Sequence, residues 1–267
     1  MQGAKSKVRD VFYDGHLSGL QGEDEGKKMI TDYICVDVET TGLNPKEEKM
    51  IEIGAVKVKN GQVTERFQSF INPGRVLSER IVALTGITDD MLKDAPGYAV
   101  VMPRFLEFCE DLPLLGHNLQ FDYGFIRRGM VNEKLNFQRN GMDTLRIARK
   151  YLPELPSRSL VSLCEHFQIT HTAHRALGDA EATAMLYQEL CRLFYDRAQT
   201  EDCKVFEPRL MSCNVKREQP ITIAQKEQIL RYCDKLGITL DRDVSAMGRS
   251  EASRFIEKYR LAYKASE

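Results

Sequence analysis

The chain has 267 residues, with 38 Lys and Arg against 39 Asp and Glu, for a net charge of −1. At 42% hydrophobic and 29% charged residues the composition is that of an ordinary globular protein, with room for one large domain or one domain plus a satellite. No apolar run approaches the ~18–20 residues that cross a bilayer, and balanced charge rules out grip on nucleic acid by bulk electrostatics alone.

Residues 1–28 are polar, carry the mixed cluster GEDEGKK and show no period, so they are expected to form a disordered tail. No apolar core of a secretory signal is present there. Met29 opens the sequence MITDYICVDVE and is expected to begin the ordered chain and to be the true translation start. Seven scattered cysteines, none in a C-x-x-C pair, argue against a disulfide framework and suit a reducing, cytoplasmic compartment.

Tyr33-Ile34-Cys35-Val36 is a short apolar run of the kind expected in a strand buried on both faces. Ile51 to Lys59 alternates, Asn60-Gly61 signals a hairpin turn, and Gln62 to Ile71 returns as a third strand. Asn72-Pro73-Gly74 ends this meander. The period then changes. Asp89 to Glu110 reads as mostly helical, interrupted at Pro96 and Pro103. Leu112 to Gly116 is a short strand, and Phe121–Leu135, Ser159–Phe167 and Gly178–Asp196 are helical by pattern. A meander followed by strand–helix alternation predicts an α/β fold with a mixed sheet and helices packed on it.

Residues 197–220 lose periodicity and carry Pro208 and Pro220, which predicts a linker. Two helices follow at about Thr222–Leu236 and Ser250–Tyr263. Thr222 with Gln225 fits a capping box, Ser250 an N-cap and Gly237 a C-terminal stop. Ile229, Cys233 and Leu236 form an apolar stripe for Phe255, Ile256 and Tyr259 to pack against. Between residues 216 and 264 there are eleven Lys/Arg and seven Asp/Glu, a net of +4. A small basic helical module over 221–267 is expected to dock on the main domain. Its cations either touch phosphates or form a solvated face.

Asp37 and Glu39 end the first strand, and positions i and i+2 of a strand point the same way. Two carboxylates on one face repel unless a cation lies between them, which suggests a hard-metal site; a solvated strand end is the bland alternative. Gly116-His117-Asn118-Leu119-Gln120-Phe121-Asp122 marks a strand passing into a helix. Asn118 fits its N-cap, and Asp122 falls in the first turn, where a negative charge gains ~0.3–1 kcal/mol. His174-Arg175-Ala176-Leu177-Gly178-Asp179 repeats the pattern at another helix start. Helix capping would account for each aspartate alone, and a surface ion pair for His174.

Taken in order, Asp-x-Glu-Thr-Thr-Gly, His-Asn-x-x-Phe-Asp and His-x-Ala-x-x-Asp resemble the DEDD superfamily of 3′–5′ exonucleases, in its histidine-bearing, DnaQ-like subgroup. That subgroup includes the epsilon proofreading subunit of bacterial DNA polymerase III and the exonuclease domain of the Gram-positive replicative polymerase. The resemblance covers about residues 31–196. It implies a ribonuclease H-like, mixed five-stranded sheet in a domain over 29–196. It also implies two divalent ions, Mg²⁺ or Mn²⁺, held by Asp37, Glu39, Asp122 and Asp179. Two such ions would activate the water and stabilise the leaving oxygen of a phosphodiester. His174 would be the general base, ahead of its neighbour His171; histidine side chains ordinarily titrate near ~6.5, which suits that task. By the same similarity, Thr40 would meet the terminal nucleotide and Leu43 would wedge against its base. His117 and Phe121 would line the pocket, and Thr85 would lie on a loop facing it.

The function expected on this basis is metal-dependent 3′–5′ hydrolysis at single-stranded ends, DNA ahead of RNA, in proofreading or repair. No membrane is involved, and a DNA polymerase would act as partner. The alternatives are the same chemistry on RNA or short oligoribonucleotides, and a nucleic-acid or polymerase-binding module with a vestigial site. The filled acidic set and His174 speak against the last.

Overall fold

The computed structural model describes residues 29–170, 174–240 and 243–266. The tail expected over 1–28 and His171 lie outside them. In chain order the elements are β1 (Tyr33–Thr40), β2 (Met50–Lys59), β3 (Gln62–Phe70), α1 (Glu79–Thr85), α2 (Asp89–Leu92), α3 (Tyr98–Cys109), β4 (Leu114–Gly116) and α4 (Leu119–Asn132). They continue with β5 (Asn140–Asp143), α5 (Thr144–Tyr151), α6 (Leu160–Phe167), α7 (Ala176–Thr200), β6 (Arg209–Leu210), α8 (Ile223–Leu236) and α9 (Arg249–Ser266). Among the described residues the sheet has six strands in the order β3-β2-β1-β4-β5-β6. β1 runs antiparallel to β2 and parallel to β4. The sheet is therefore mixed, as expected, with one strand more than the five that the family resemblance implied.

The β2–β3 turn forms where the sequence places it. Asn60 and Gly61 both take positive φ, 52° and 75°, as a two-residue hairpin turn of the primed type requires. β1 sorts its side chains by parity. Tyr33 and Cys35 join Val56, Val58, Ile147, Leu186 and Tyr187 in a core under α5–α7. Ile34, Val36 and Val38 join Val101, Phe105, Tyr123 and Ile126 in a second core under α3 and α4. Each fully buried apolar side chain contributes ~1.5–3 kcal/mol, so a one-residue slip of β1 would lose both cores at once.

Three sequence expectations need correction. Alternation in β2 pointed to one solvent face, yet the strand is buried from Met50 to Val58. It lies between two strands with helices over both faces, so Glu52 and Lys57 are buried as well. The segment read as a linker from 197 carries the end of α7, a 3₁₀ turn at Lys204–Phe206 and the edge strand β6, with Ala198, Val205 and Phe206 buried. The turn and β6 are too short to leave a period. α9 begins one residue before Ser250, at Arg249.

The C-terminal helices hold a small core of Ile229, Cys233, Val244, Met247 and Ala252, against which Phe255 and Ile256 pack. Leu236 and Tyr259 stand outside it, the Tyr259 ring tilted 36° to that of Phe255 with centroids 4.3 Å apart. The capping box of Thr222 and Gln225 is formed, and Gly237 closes α8 with φ 63°. Glu218 ties the pair to α4. Arg128 bridges it at 2.8 Å, and its backbone N–H donates to Asn132 Oδ1 at 2.9 Å.

Candidate active site

β1 and β4 pair only at Ile34–Leu114 and Cys35–Leu115, and β4 stops at Gly116. Beyond Cys35 the two parallel strands have parted, leaving a crevice at their carboxyl ends, the usual ligand position in open α/β sheets. Ile34 donates its N–H to Pro113 on the β4 side, so by alternation the N–H of Val38 faces the crevice. Asp122, in the first turn of α4, fills that position. It is 3% exposed, and its Oδ1 accepts from Val38 N at 3.1 Å. Its carboxylate is thus bound to β1, and it does not serve as a surface helix cap.

Asp37 and Glu39 share the α7 face of β1 with Tyr33 and Cys35. Opposite them on β2 lie Gly54 and Glu52, respectively. The ladder slips at the next step, where Thr40 pairs with Met50, a bulge that ends regular pairing beside the acids. The start of α7 lies directly on Gly54. Its first turn presents Asp179, 8% exposed, whose Oδ2 accepts from the backbone N–H of His174 at 3.0 Å. Carboxylate oxygens of Asp37, Glu39 and Asp179 all lie within 4.8 Å of one another.

Glu52 and Arg175 were not singled out from the sequence. Glu52 is fully buried, and Arg175 holds it through Nη2 at 2.9 Å and Nε at 3.2 Å. The Ala176 N–H donates to the same carboxylate at 3.2 Å, and Gln68 Nε2 donates at 2.8 Å. One buried acid therefore fixes the entry to α7, between His174 and Asp179. Alternation made Glu52 look solvent-facing. The available clue was Gly54, since an isolated glycine inside a strand marks close backbone approach.

The acids are electrostatically unbalanced. Burial, then Asp122, Asp179, Glu39 and Glu52, pushes the Asp37 carboxyl well above its ordinary range. Burial raises Asp122 likewise, against the Val38 hydrogen bond. Burial, then Asp179 and Glu52, pushes Glu39 up to about 7, with the Arg175 guanidinium opposing. Crowded, partly buried oxygen donors of one sign fit a hard divalent cation, which would relieve the repulsion.

The remaining expected residues fall as follows. His174 is exposed on the loop before α7, with φ 65°. Leu43 is 81% exposed at the turn after β1. Thr40 is buried, and its hydroxyl donates to Gly42 O at 2.7 Å, shaping that turn. Phe121 is half-buried on α4 and packs on Phe125 with centroids 5.1 Å apart. His117 has both ring nitrogens engaged, with Nδ1 2.9 Å from Thr144 Oγ1 and Nε2 2.9 Å from Arg158 O. It joins β4 to α5 and the loop before α6. Thr85, expected on a loop, is 4% exposed at the end of α1, its hydroxyl donating to Ile81 O at 2.9 Å and accepting from Ile87 N at 3.1 Å. Asn118 occupies the N-cap position of α4 in a left-handed conformation, φ 66°, without a capping side-chain bond. Asp143 accepts its N–H at 3.0 Å.

A family model described as Exonuclease matches residues 34–187. The sequence is 37% identical over 211 residues to a DNA polymerase III PolC-type of Oceanobacillus iheyensis, covering 76% of this chain and 15% of that protein. It is 44% identical over 162 residues to the PolC-type polymerase of Bacillus cereus, covering 60% and 11%. The chain thus spans only a small part of the length of these relatives. Among solved structures it resembles an exonuclease I at TM-score 0.56 and 22% identity, covering 64% of this chain and 43% of that one. It also resembles exonuclease X in complex with 5′ overhanging duplex DNA, at TM-score 0.50 and 24% identity, covering 61% and 93%. At these identities the structural likeness is one of fold.

Proposed function

The chain belongs to the exonuclease family, in its DnaQ-like, histidine-bearing branch, and on that premise we propose that it removes nucleotides from the 3′ end of single-stranded DNA. One observation carries the reading. Asp37, Glu39 and Asp179 bring carboxylate oxygens within 4.8 Å of one another at the crevice where β1 and β4 part.

Asp37, Glu39 and Asp179, with Asp122 beside them, would hold the divalent cations, Mg²⁺ or Mn²⁺. Bound there, such ions supply Lewis-acid polarisation of the phosphate and a water of lowered pKa. His174 takes the proton from the attacking water, whose oxygen bonds to phosphorus as the bond to the 3′ oxygen breaks. A 5′-mononucleotide leaves, and the new 3′ end takes a proton from solvent. The backbone bond from His174 to Asp179 sets the base relative to one of the acids. Leu43, apolar and exposed, wedges against the terminal base, and Phe121 offers an aromatic edge. Such contacts tolerate any base sequence. The relatives are polymerases, so a DNA polymerase is the proposed partner and proofreading the proposed setting.

The test is parallel digestion of 5′-labelled single strands of DNA and RNA with Mg²⁺, Mn²⁺ or EDTA, with Asp122→Asn as control. A metal-dependent ladder shortening from the 3′ end of DNA supports the reading. A ladder on RNA alone moves the substrate to RNA. No ladder on either, or an active Asp122→Asn, overturns it.

A further inference from the structure

We infer that the α8–α9 pair guides the single strand upstream of the 3′ end, an inference that rests on the exonuclease reading of the crevice. Residues 216–264 carry eleven Lys/Arg against seven Asp/Glu, a net of +4, whereas the remainder of the chain is acidic. One of these cations, Arg254, lies beside the turn that leaves the candidate site. Arg254 of α9 reaches the turn between β1 and β2, with Nη2 3.5 Å from Lys46 O and Nε 3.8 Å from Glu47 Oε1. That turn carries Leu43, the residue proposed to meet the terminal base. Both Arg254 contacts are long and its side chain is 42% exposed, so the guanidinium keeps donors for a phosphate.

Lys258 lies one helical turn further along the same exposed face. Beside the two cations lies Tyr259, outside the small core; its ring is tilted 36° to that of Phe255, and Lys258 Nζ lies 5.7 Å from its centroid. Two cations flanking an aromatic side chain suit single-stranded nucleic acid, whose phosphates pair with the former and whose bases stack on the latter. Acidic groups are also near: Glu257 is engaged by Arg260 at 2.7 Å, and Glu251 stands by Lys49.

The placement is built into the fold. Glu218 accepts from Arg128 of α4 and from the backbone N–H of Ser250 at the start of α9, both at 2.8 Å. Gly248 lies so close to Glu218 that a Cβ would stand 2.3 Å from its Cγ. The helix that carries Asp122 and Phe121 therefore also fixes α9. A strand whose 3′ end lies at Leu43 would pass Arg254 and then Lys258 as it leaves the crevice.

The test uses the full chain with Arg254→Glu/Lys258→Glu, two exposed positions, after confirming an unchanged Tm. On a 5′-labelled oligothymidine of about 20 nucleotides, KM is expected to rise about tenfold with kcat unchanged, and the salt slope of log KM to fall by about 1.4, or ~0.7 per lost phosphate contact. Hydrolysis of the p-nitrophenyl ester of thymidine monophosphate, too short to reach α9, reads the crevice alone. An unchanged KM and slope on the oligonucleotide overturn the inference. Should the wild-type chain cleave neither substrate, the exonuclease reading fails, and anisotropy with the same labelled oligonucleotide decides the guide separately. An affinity loss of about tenfold in the double variant upholds it. Equal affinity, or no binding by wild type, overturns it.

Discussion

Gly54 and Leu177 meet across a gap too narrow for a methyl group: a Cβ on Gly54 would lie 2.1 Å from the Leu177 amide nitrogen and 2.3 Å from the Ala176 carbonyl carbon. Gly54 is also the ladder partner of Asp37. The close approach therefore sets the first turn of α7, and Asp179 with it, over the end of β1. The crowding is backbone against backbone, so no flexible side chain can yield. Gly54→Ala must lift α7 off the sheet. A displacement of about 1 Å at a reacting centre costs ~100-fold in rate, so kcat/KM is expected to fall by about that factor with a lowered Tm. Gly97→Ala, at φ −82° with nothing within 4 Å, is the control and is expected to leave kcat/KM unchanged, with only the small loss of Tm that alanine brings at the N-cap of α3. Equal activity of the two variants would show that the contact does not position the site.

The contrast between Gly54 and Asp37 also marks how far the sequence could be read. The meander, its Asn60-Gly61 turn, the long helix behind Asp179 and the C-terminal capping box all leave local signals, because each is made by residues adjacent in sequence. Ordered acidic motifs located the crevice in the same way. β5 and β6 were missed because they span four and two residues, too few for a period. Glu52 was missed because its burial depends on Arg175, which is 123 residues away. Thr85 lies in α1 and not on a loop because its hydroxyl closes its own helix end, a role that its neighbours in sequence do not announce.

Glu52 and Arg175 give a prediction about folding and positioning together. Glu52 is fully buried, so removing its cationic partner leaves a charge with only amide donors. Arg175→Ala is expected to cost about 3 kcal/mol by denaturant unfolding, the low end for a broken buried pair because the Arg175 side chain is 39% exposed. Arg175→Lys keeps the charge and loses the two-point grip. It is expected to restore most of the stability but little of kcat, because the entry to α7 is no longer held at two points. Full recovery of kcat in the lysine variant would reduce the pair to a stabilising role.

The raised carboxylates predict a pH dependence of the metal-free protein. Glu39 titrates at about 7 in the fold against 4.5 ordinarily, and Asp37 and Asp122 shift the same way. Between those limits the folded chain binds more protons than the unfolded chain, so stability falls as pH rises. The protonated form's contribution is complete below about 4.5 and gone above about 7. Glu110 and Glu201, held low by Lys57 and Arg197, act in the opposite sense only at more acidic pH, and His117, pushed down from 6.5 by burial, opposes the three raised carboxyls over the interval just below that value. In EDTA, Tm is expected to drop from pH 5 to pH 7.5, and Glu39→Gln to flatten part of that slope. Mn²⁺ or Mg²⁺ should restore Tm increasingly as pH rises. A flat profile in EDTA would contradict the crowding of the acids.

Asp122→Asn separates charge from shape. The amide oxygen can still accept from Val38 N, and a carboxyl whose charged form burial disfavours is removed. The variant is expected to be at least as stable as wild type at neutral pH in EDTA and to gain less Tm from Mn²⁺. Its turnover should fall by more than about 100-fold, the scale of losing one electrostatic stabiliser. Lower stability together with unchanged metal response would assign Asp122 to β1 packing alone.

His174 poses the corresponding question for the base. It sits at φ 65°, where Asn is tolerated better than most residues, and its backbone N–H holds Asp179. His174→Asn therefore keeps the backbone bond and removes only the imidazole. Turnover is expected to fall about 100- to 10,000-fold, the range for a lost general base, while Tm and the Mn²⁺-induced stabilisation stay at wild-type values. Added imidazole should recover part of the rate, since the side chain is exposed and its place is open to solvent. His174→Ala strains the left-handed position more and is expected to lose Tm as well. Asparagine activity equal to wild type would move the base elsewhere, leaving His174 as a backbone donor to Asp179.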